Sequence, residues 1–589
     1  MSSNSDSLGG FLVRNKRAVI ASVATVSAVA GAYIYYRQLQ SLKDDKDETN
    51  KKKKEERFDF LVLADGDEPD IEAMKKIEDQ ILRAKYSTEL KNKGNSFFKS
   101  KDYANAIKYY EYALQLKEDA IFYSNLATCY MSLNDTDNAM KFCNKALELN
   151  PDYSKVLLKR ASLNEGTGNF QDALFDLTAL SLTGDFNDAT IQPIVERVLN
   201  KQAMVALKDI LERCEKEKVL PSATSMAAFF GVFKPETSIR NYIENDESDK
   251  LLVDALNALY GHTREGYNTA DELFRKALVG YKLKLEEDKE NENLKEKAAI
   301  AYEHVGILDF LKNDAISARE NVGKALALFP RAKSYVYLGL LVADKGLDEE
   351  YYKNFENALA LNQDNAAVYY HRGQMGFILQ QYEKAGADFD KAKEEDPENI
   401  FPYIQLACMA YREGNFADCE TLFSEARRKF PDAPEVPNFF AEILSDKGDI
   451  EKALLEYDRA IELEGKTDNI RVGIAPLVGK ATTLLKNPTV ENFIEADELF
   501  ETAASEDPNA DKAKMGLAQC KLQQEDLEEA ISLFEETAFL SRTIDEKLQA
   551  VTFAEATKVQ QNIKADPRLQ TKIMKAVDDL RRNGGMPDY

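Results

Sequence analysis

The chain has 589 residues, 44% of them hydrophobic, and at roughly 150 residues per domain that allows about four domains with a sizeable core. Asp and Glu number 102 against 77 Lys and Arg, a net charge of −25, which excludes a generally basic surface and with it nucleic acid as an expected partner. Gly (27) and Pro (16) are scarce beside the roughly 7% and 5% of an average chain, so long helices are favoured over disordered or collagen-like architecture. Three His and six Cys leave little material for metal chemistry. No CxxC, HExxH, GxSxG or GxxxxGK[ST] occurs, so no cofactor, no metal and no enzyme class has a motif to stand on.

In chain order, residues 1–17 form a short tail, and residues 18–36, AVIASVATVSAVAGAYIYY, carry no charge. Their length is close to the roughly 20 residues a helix needs to cross a bilayer. Arg14, Lys16 and Arg17 flank one side and Arg37 the other, while Tyr33, Tyr35 and Tyr36 crowd one end like an interfacial aromatic belt. The stretch is longer than the apolar region of a cleaved signal peptide, and an uncleaved transmembrane anchor is expected. Small residues at Ala24, Ala28 and Ala32 would let two such helices approach, so a homodimer stays open beside a monomer. Residues 37–70 are rich in Lys, Asp and Glu and read as a charged tether. The six Cys are scattered without framework spacing, which places the bulk of the chain on the reducing, cytosolic side.

From about residue 87 the chain repeats every 33–34 residues. Gly373, Ala385, Phe389, Ala392 and Pro397 fall at repeat positions 8, 20, 24, 27 and 32. Gly94, Ala106, Tyr110 and Ala113 match them near the N-terminus, and Ala441, Ala453, Tyr457 and Ala460 further on. Small residues at 8, 20 and 27 let two helices approach, an aromatic at 24 fills the space between them, and proline at 32 stops the second helix. This pattern resembles the tetratricopeptide repeat, a helix–turn–helix unit of 34 residues. The family's usual Trp at position 4 is replaced by Tyr123, Tyr302, Tyr335, Tyr369 and Tyr403. The resemblance implies an all-α tetratricopeptide-repeat superhelix of about eleven units behind the anchor, because no single unit can bury its own apolar face. Three units fill an N-terminal array at 71–187. Residues 188–247, including PSATSMAAFFGVFKP, lose the period and form a junction. Eight units and the capping helices make a C-terminal array at 248–589.

In such repeats positions 2, 5, 6, 9 and 12 of each first helix face the concave side. In the first array these positions carry Lys91, Asn95, Asn125, Lys155 and Lys159, three cations and two amides able to hold two carboxylates by charge-assisted hydrogen bonds. The set resembles the dicarboxylate clamp of co-chaperone repeat domains, which implies binding of the Glu-Glu-Val-Asp tails of the seventy- and ninety-kilodalton heat-shock chaperones. The family usually has Arg at the last position; here Lys159 stands there, followed by Arg160. In the second array the inward positions are apolar, including Phe310, Leu340, Tyr370, Phe377, Phe401, Ile404 and Tyr411, a groove suited to hydrophobic or amphipathic polypeptide.

Anchor, tether, clamp and second array together resemble the seventy-kilodalton receptor subunits of the mitochondrial outer-membrane translocase, fungal type. Segments such as FYSNLATCY, YYHRGQMGFILQ and APEVPNFFAEIL carry that likeness. It implies a non-enzymatic, single-pass outer-membrane receptor that takes chaperone-bound precursor proteins, especially carriers with internal signals, and passes them to the other translocase subunits. The alternative is a membrane-anchored co-chaperone scaffold that binds no cargo itself. An enzyme would have to use His262, His304 or His371, which lie in different repeats without a nucleophile or metal pattern around them.

Overall fold

A computed structural model describes residues 69–182, 188–343 and 348–582. The anchor expected at 18–36 lies outside them, and among the described residues no helix is long and apolar enough to cross a membrane. These residues form 27 α-helices and no strand. Acidic N-caps start many of them. Asp79 accepts from the amides of Ile81 and Leu82, and Asp102, Asp119, Asp135, Asp314 and Asp526 cap their own helices in the same way.

Eleven antiparallel helix pairs carry the repeats, from Gln80–Lys99 with Tyr103–Leu116 to Asp511–Gln523 with Leu527–Leu540. The period is written in the backbone as well as in the side chains. The turn inside a pair takes a left-handed residue at Lys101 (φ 63°), Asn134 (58°), Gly168 (83°), Gln380 (60°), Gly414 (82°) and Gly448 (89°). Glycine adopts that conformation freely, while lysine or glutamine is held there by the packing on either side. Within each pair the small positions are sealed: Ala106, Ala113, Ala385, Ala392, Ala453 and Ala460 have no exposed surface. Gly94 shows why position 8 stays small. A Cβ there would stand 2.7 Å from the Tyr110 ring.

The chain divides into two compact units. One holds residues 69–207 and 552–582 of the described chain, the other Lys208–Val551. The first contains three repeat pairs, and its core joins Leu174, Leu177 and Leu180 to Val195 and Val198 and to Val559, Ile563 and Leu569 from the C-terminus. Arg568 Nη1 donates to the Pro151 carbonyl at 2.6 Å, Lys572 pairs with Asp152 at 2.7 Å, and Gln202 Nε2 donates to Glu555 at 2.7 Å. The expectation that residues 248–589 form one array therefore changes. From Thr552 onward the chain packs with the first three repeats, covering the apolar face that the end of a short repeat stack leaves open.

The second unit contains eight pairs. Its aperiodic junction is core rather than linker. The helix Ala223–Phe230 buries Met226 and Phe230 completely. Phe233 stands 5.5 Å from the Tyr337 ring and 4.8 Å from the His371 ring, and Val232 joins Tyr370 and Phe389.

Candidate functional site

Two sites stand out, one in each unit. In the first, Lys91 and Asn95 lie one turn apart on Gln80–Lys99, Asn125 is on Ala120–Ser132, and Lys155 and Lys159 are on Ser154–Thr167. The repeat stacking brings the first helices side by side. Asn125 Nδ2 donates to Asn95 Oδ1 at 3.4 Å, and Lys159 Nζ donates to the Ser124 carbonyl at 3.0 Å and to Ser124 Oγ at 2.9 Å. Tyr110 Oη donates to the same Asn95 oxygen at 2.7 Å. With its oxygen used twice, the half-buried Asn95 amide keeps its nitrogen as a donor. Burial, together with the Lys155 cation, lowers the Lys159 ammonium from its usual value. Lys91 is half-buried and Lys155 exposed, and neither makes an ion pair. The trough thus presents ammonium and amide N–H groups, the donor set that two neighbouring carboxylates need.

Arg160 is not a substitute for the arginine that the family carries one position earlier. Its guanidinium is spent on Asp176, with Nε and Nη2 donating to the two carboxylate oxygens at 2.8 and 2.6 Å, and its Nη1 donates to Asn144 at 2.9 Å. Tyr110 is the residue of this trough that sequence reasoning passed over. Its position 24 reads as core, and only the folded pair shows its hydroxyl reaching position 9.

In the second unit a cavity of about 260 Å³ is lined by Phe401, Asn438, Phe439, Glu442, Tyr457 and Val478, among others. Counting from Ala441 at position 8, Glu435, Asn438, Glu442 and Ser445 stand at positions 2, 5, 9 and 12. These are the concave positions that supply the trough of the first unit, so the signal was present in the period. Part of its wall, Arg471, Val472 and Ile474, comes from residues 465–474, a long connection that no period announces. Glu464 accepts from the amides of Arg471, Val472 and Gly473 at 2.9, 3.0 and 2.8 Å, and Arg471 pairs with Glu435 at 2.9 Å. The Ile474 amide donates to Thr224 Oγ1 at 3.2 Å, tying the wall to the junction helix.

Of the apolar groove residues, Phe401 lines this cavity, and Leu340, Phe377 and Tyr411 are half-buried. Phe310, Tyr370 and Ile404 are core, with 6%, 2% and 0% exposure, which leaves no surface for a ligand. Tyr370 packs under Val232 of the junction, with its hydroxyl accepting from Gln374 at 2.9 Å, and the Arg542 guanidinium lies 4.4 Å from the Phe310 ring. The chain's own side chains occupy the face that the period left bare.

Glu236, Glu303 and His304 come close enough to hold a metal ion, but the cluster already has its cations. Arg331 binds Glu236 at 2.6 Å and Glu303 at 3.1 Å, and Lys333 binds Glu236 at 2.9 Å. His304 donates from Nδ1 to the Ile300 carbonyl at 2.7 Å, and burial holds it neutral, down at about 3. The six cysteines are unbridged, four of them buried.

Profiles of the tetratricopeptide repeat match residues 92–119, 120–153, 353–400, 404–466 and 491–542. The mitochondrial import receptor subunit TOM70 of Saccharomyces cerevisiae is 54% identical over 616 aligned positions, covering 98% of this chain and 100% of that protein. The human TOM70 is 25% identical over 80% of this chain and 79% of its own. The crystal structure of yeast Tom70 aligns with a TM-score of 0.60 at 62% identity, over 83% of this chain and 99% of that one. The chain belongs to the TOM70 family of mitochondrial import receptor subunits.

Proposed function

We propose that the trough of the first unit docks the acidic C-terminal tails of the seventy- and ninety-kilodalton heat-shock chaperones. The second unit takes the precursor they carry, a hydrophobic carrier-type protein with internal signals. It receives that precursor at the cavity beside Phe401. Residues 18–36 hold the receptor in the mitochondrial outer membrane with its bulk in the cytosol, where it hands precursors to other translocase subunits. The observation that carries the reading is the trough itself: three lysines and two oriented amides on three adjacent first helices, in an otherwise acidic protein. Two modest contacts on one chaperone–precursor complex multiply through effective concentration.

Calorimetry on the full chain with a peptide ending in Glu-Glu-Val-Asp tests it. Binding is expected with the free acid, and its loss is expected with the C-terminal amide. Equal binding of both forms would remove the chaperone half of the proposal. Tail binding without any precursor binding would favour the co-chaperone scaffold instead.

A further inference from the structure

The cavity of the second unit has an imbalance of donors and acceptors. Asn438 is 2% exposed, and its Oδ1 has no hydrogen-bond partner. Its Nδ2 donates to Glu442 Oε1 at 3.2 Å. Turning the amide over would set oxygen against carboxylate oxygen, so Glu442 fixes its orientation and the orphan acceptor stays. Glu442 is half-buried and accepts the Asn438 amide on one carboxyl oxygen. The unpaired Asn438 oxygen and the Glu442 carboxyl therefore share one chamber, and a buried acceptor left unmade, as the Asn438 oxygen is, is costly.

The basic residues of the lining do not supply that donor. Arg471 is held by Glu435 at 2.9 Å, and Lys486 donates to the Ser445 carbonyl and Oγ at 2.7 and 2.8 Å. Lys512 lies near Glu442 but makes no ion pair, and burial leaves the Glu442 carboxyl at about 7 in spite of it. The lining also carries aromatic and aliphatic side chains, Phe401, Phe439, Tyr457 and Val478, among hydroxyl-bearing ones such as Ser225 and Thr482. A volume of about 260 Å³ is below the ~300–1,000 Å³ of drug-sized ligand pockets, and suits a side chain rather than a free metabolite.

We propose that this cavity seats one arginine side chain of the incoming polypeptide, its stem along Phe401, Phe439 and Tyr457 and its guanidinium on Glu442 and the Asn438 oxygen. The planar fork offers paired N–H groups to two neighbouring acceptors, which an ammonium does less well, and the long stem covers the apolar wall. This rests on the reading that the cavity receives the precursor and adds which residue of the precursor is read.

The test uses the full chain. It contains no Trp, so Phe439→Trp places a single indole in the cavity wall as reporter. The probes are two synthetic 16-residue amphipathic peptides, identical except that one carries a central arginine and the other citrulline, which keeps the shape and loses the charge. Both should change the indole emission, with the arginine peptide binding at least about tenfold more tightly. A lysine version should fall between them. Adding Glu442→Gln should bring the arginine peptide down to the citrulline level. Equal affinity of the two peptides, with emission changed by both, would overturn the arginine assignment and leave the cavity as the precursor site. Unchanged emission with either peptide would overturn the cavity as precursor site and this inference with it. The peptide comparison needs no variant at Glu442, so a folding defect in Glu442→Gln would not blur the result.

Discussion

Replacing Glu442 by Gln should stabilise the protein, and the gain should depend on pH. The carboxyl titrates at 4.5 in its ordinary state and is pushed by burial to about 7 in the fold, against the pull of Lys512 and the Asn438 amide. At about 1.36 kcal/mol per pH unit, that gap costs the folded state about 3 kcal/mol once the group is ionised. The sign follows from proton binding. The fold holds this proton more tightly than the unfolded chain does, so the cost is absent well below 4.5, builds as pH rises, and is complete above about 7. Gln keeps the amide contact with Asn438 and carries no charge. Urea denaturation followed by circular dichroism should therefore find Glu442→Gln more stable than the parent by about 3 kcal/mol near pH ~8 and only about 1 kcal/mol near pH ~5. A stability difference of the same size at both pH values would refute the argument, because it would mean that Glu442 titrates alike in both states. An arginine peptide that seats on the carboxylate should narrow the difference at the higher pH, since it offsets in the parent what the variant removes.

Further outcomes follow from other positions. Lys91→Ala with Asn95→Ala should abolish binding of the Glu-Glu-Val-Asp peptide in calorimetry and cost about 1–3 kcal/mol of stability, since the buried Tyr110 hydroxyl loses its acceptor; Lys91→Ala alone should weaken binding with the melting temperature near that of the parent. Arg160→Met should destabilise by about 3–5 kcal/mol, since it strands the Asp176 carboxylate, whose side chain is 1% exposed; a denaturation midpoint equal to the parent's would show the pair to be dispensable. Gly94→Ala should cost about 1–3 kcal/mol through crowding of the Tyr110 ring. It should also weaken tail binding, because the Tyr110 hydroxyl orients Asn95. Gly166→Ala meets nothing within 4 Å and should be neutral or stabilise by up to about 1 kcal/mol. A matching loss at both glycines would show that crowding is not the cause.

Repeat positions were legible wherever one physical demand recurs at one spacing. The small residues at 8, 20 and 27, and the cations and amides at 2, 5, 6 and 9 of the first array, could be placed on a common face by counting alone. The same count reaches Asn438 and Glu442, whose polar side chains set them apart from the apolar positions of the second array. Tyr370, Ile404 and Phe310 show the converse. Each has an inward position and an apolar side chain, yet inward is not the same as open once other side chains fill the face.

The sequence by itself determined the helices, their pairing and the line-up of the trough, since these depend on residues within about one or two repeats of each other. Tertiary structure alone decided the rest. Glu555 meets Gln202 across 353 residues, and the Thr224 amide meets Asp507 across 283. Such contacts join an aperiodic segment to a distant repeat, so they leave no spacing to count. They arise because the open faces of a repeat stack must be covered by whatever apolar segment of the chain can reach them.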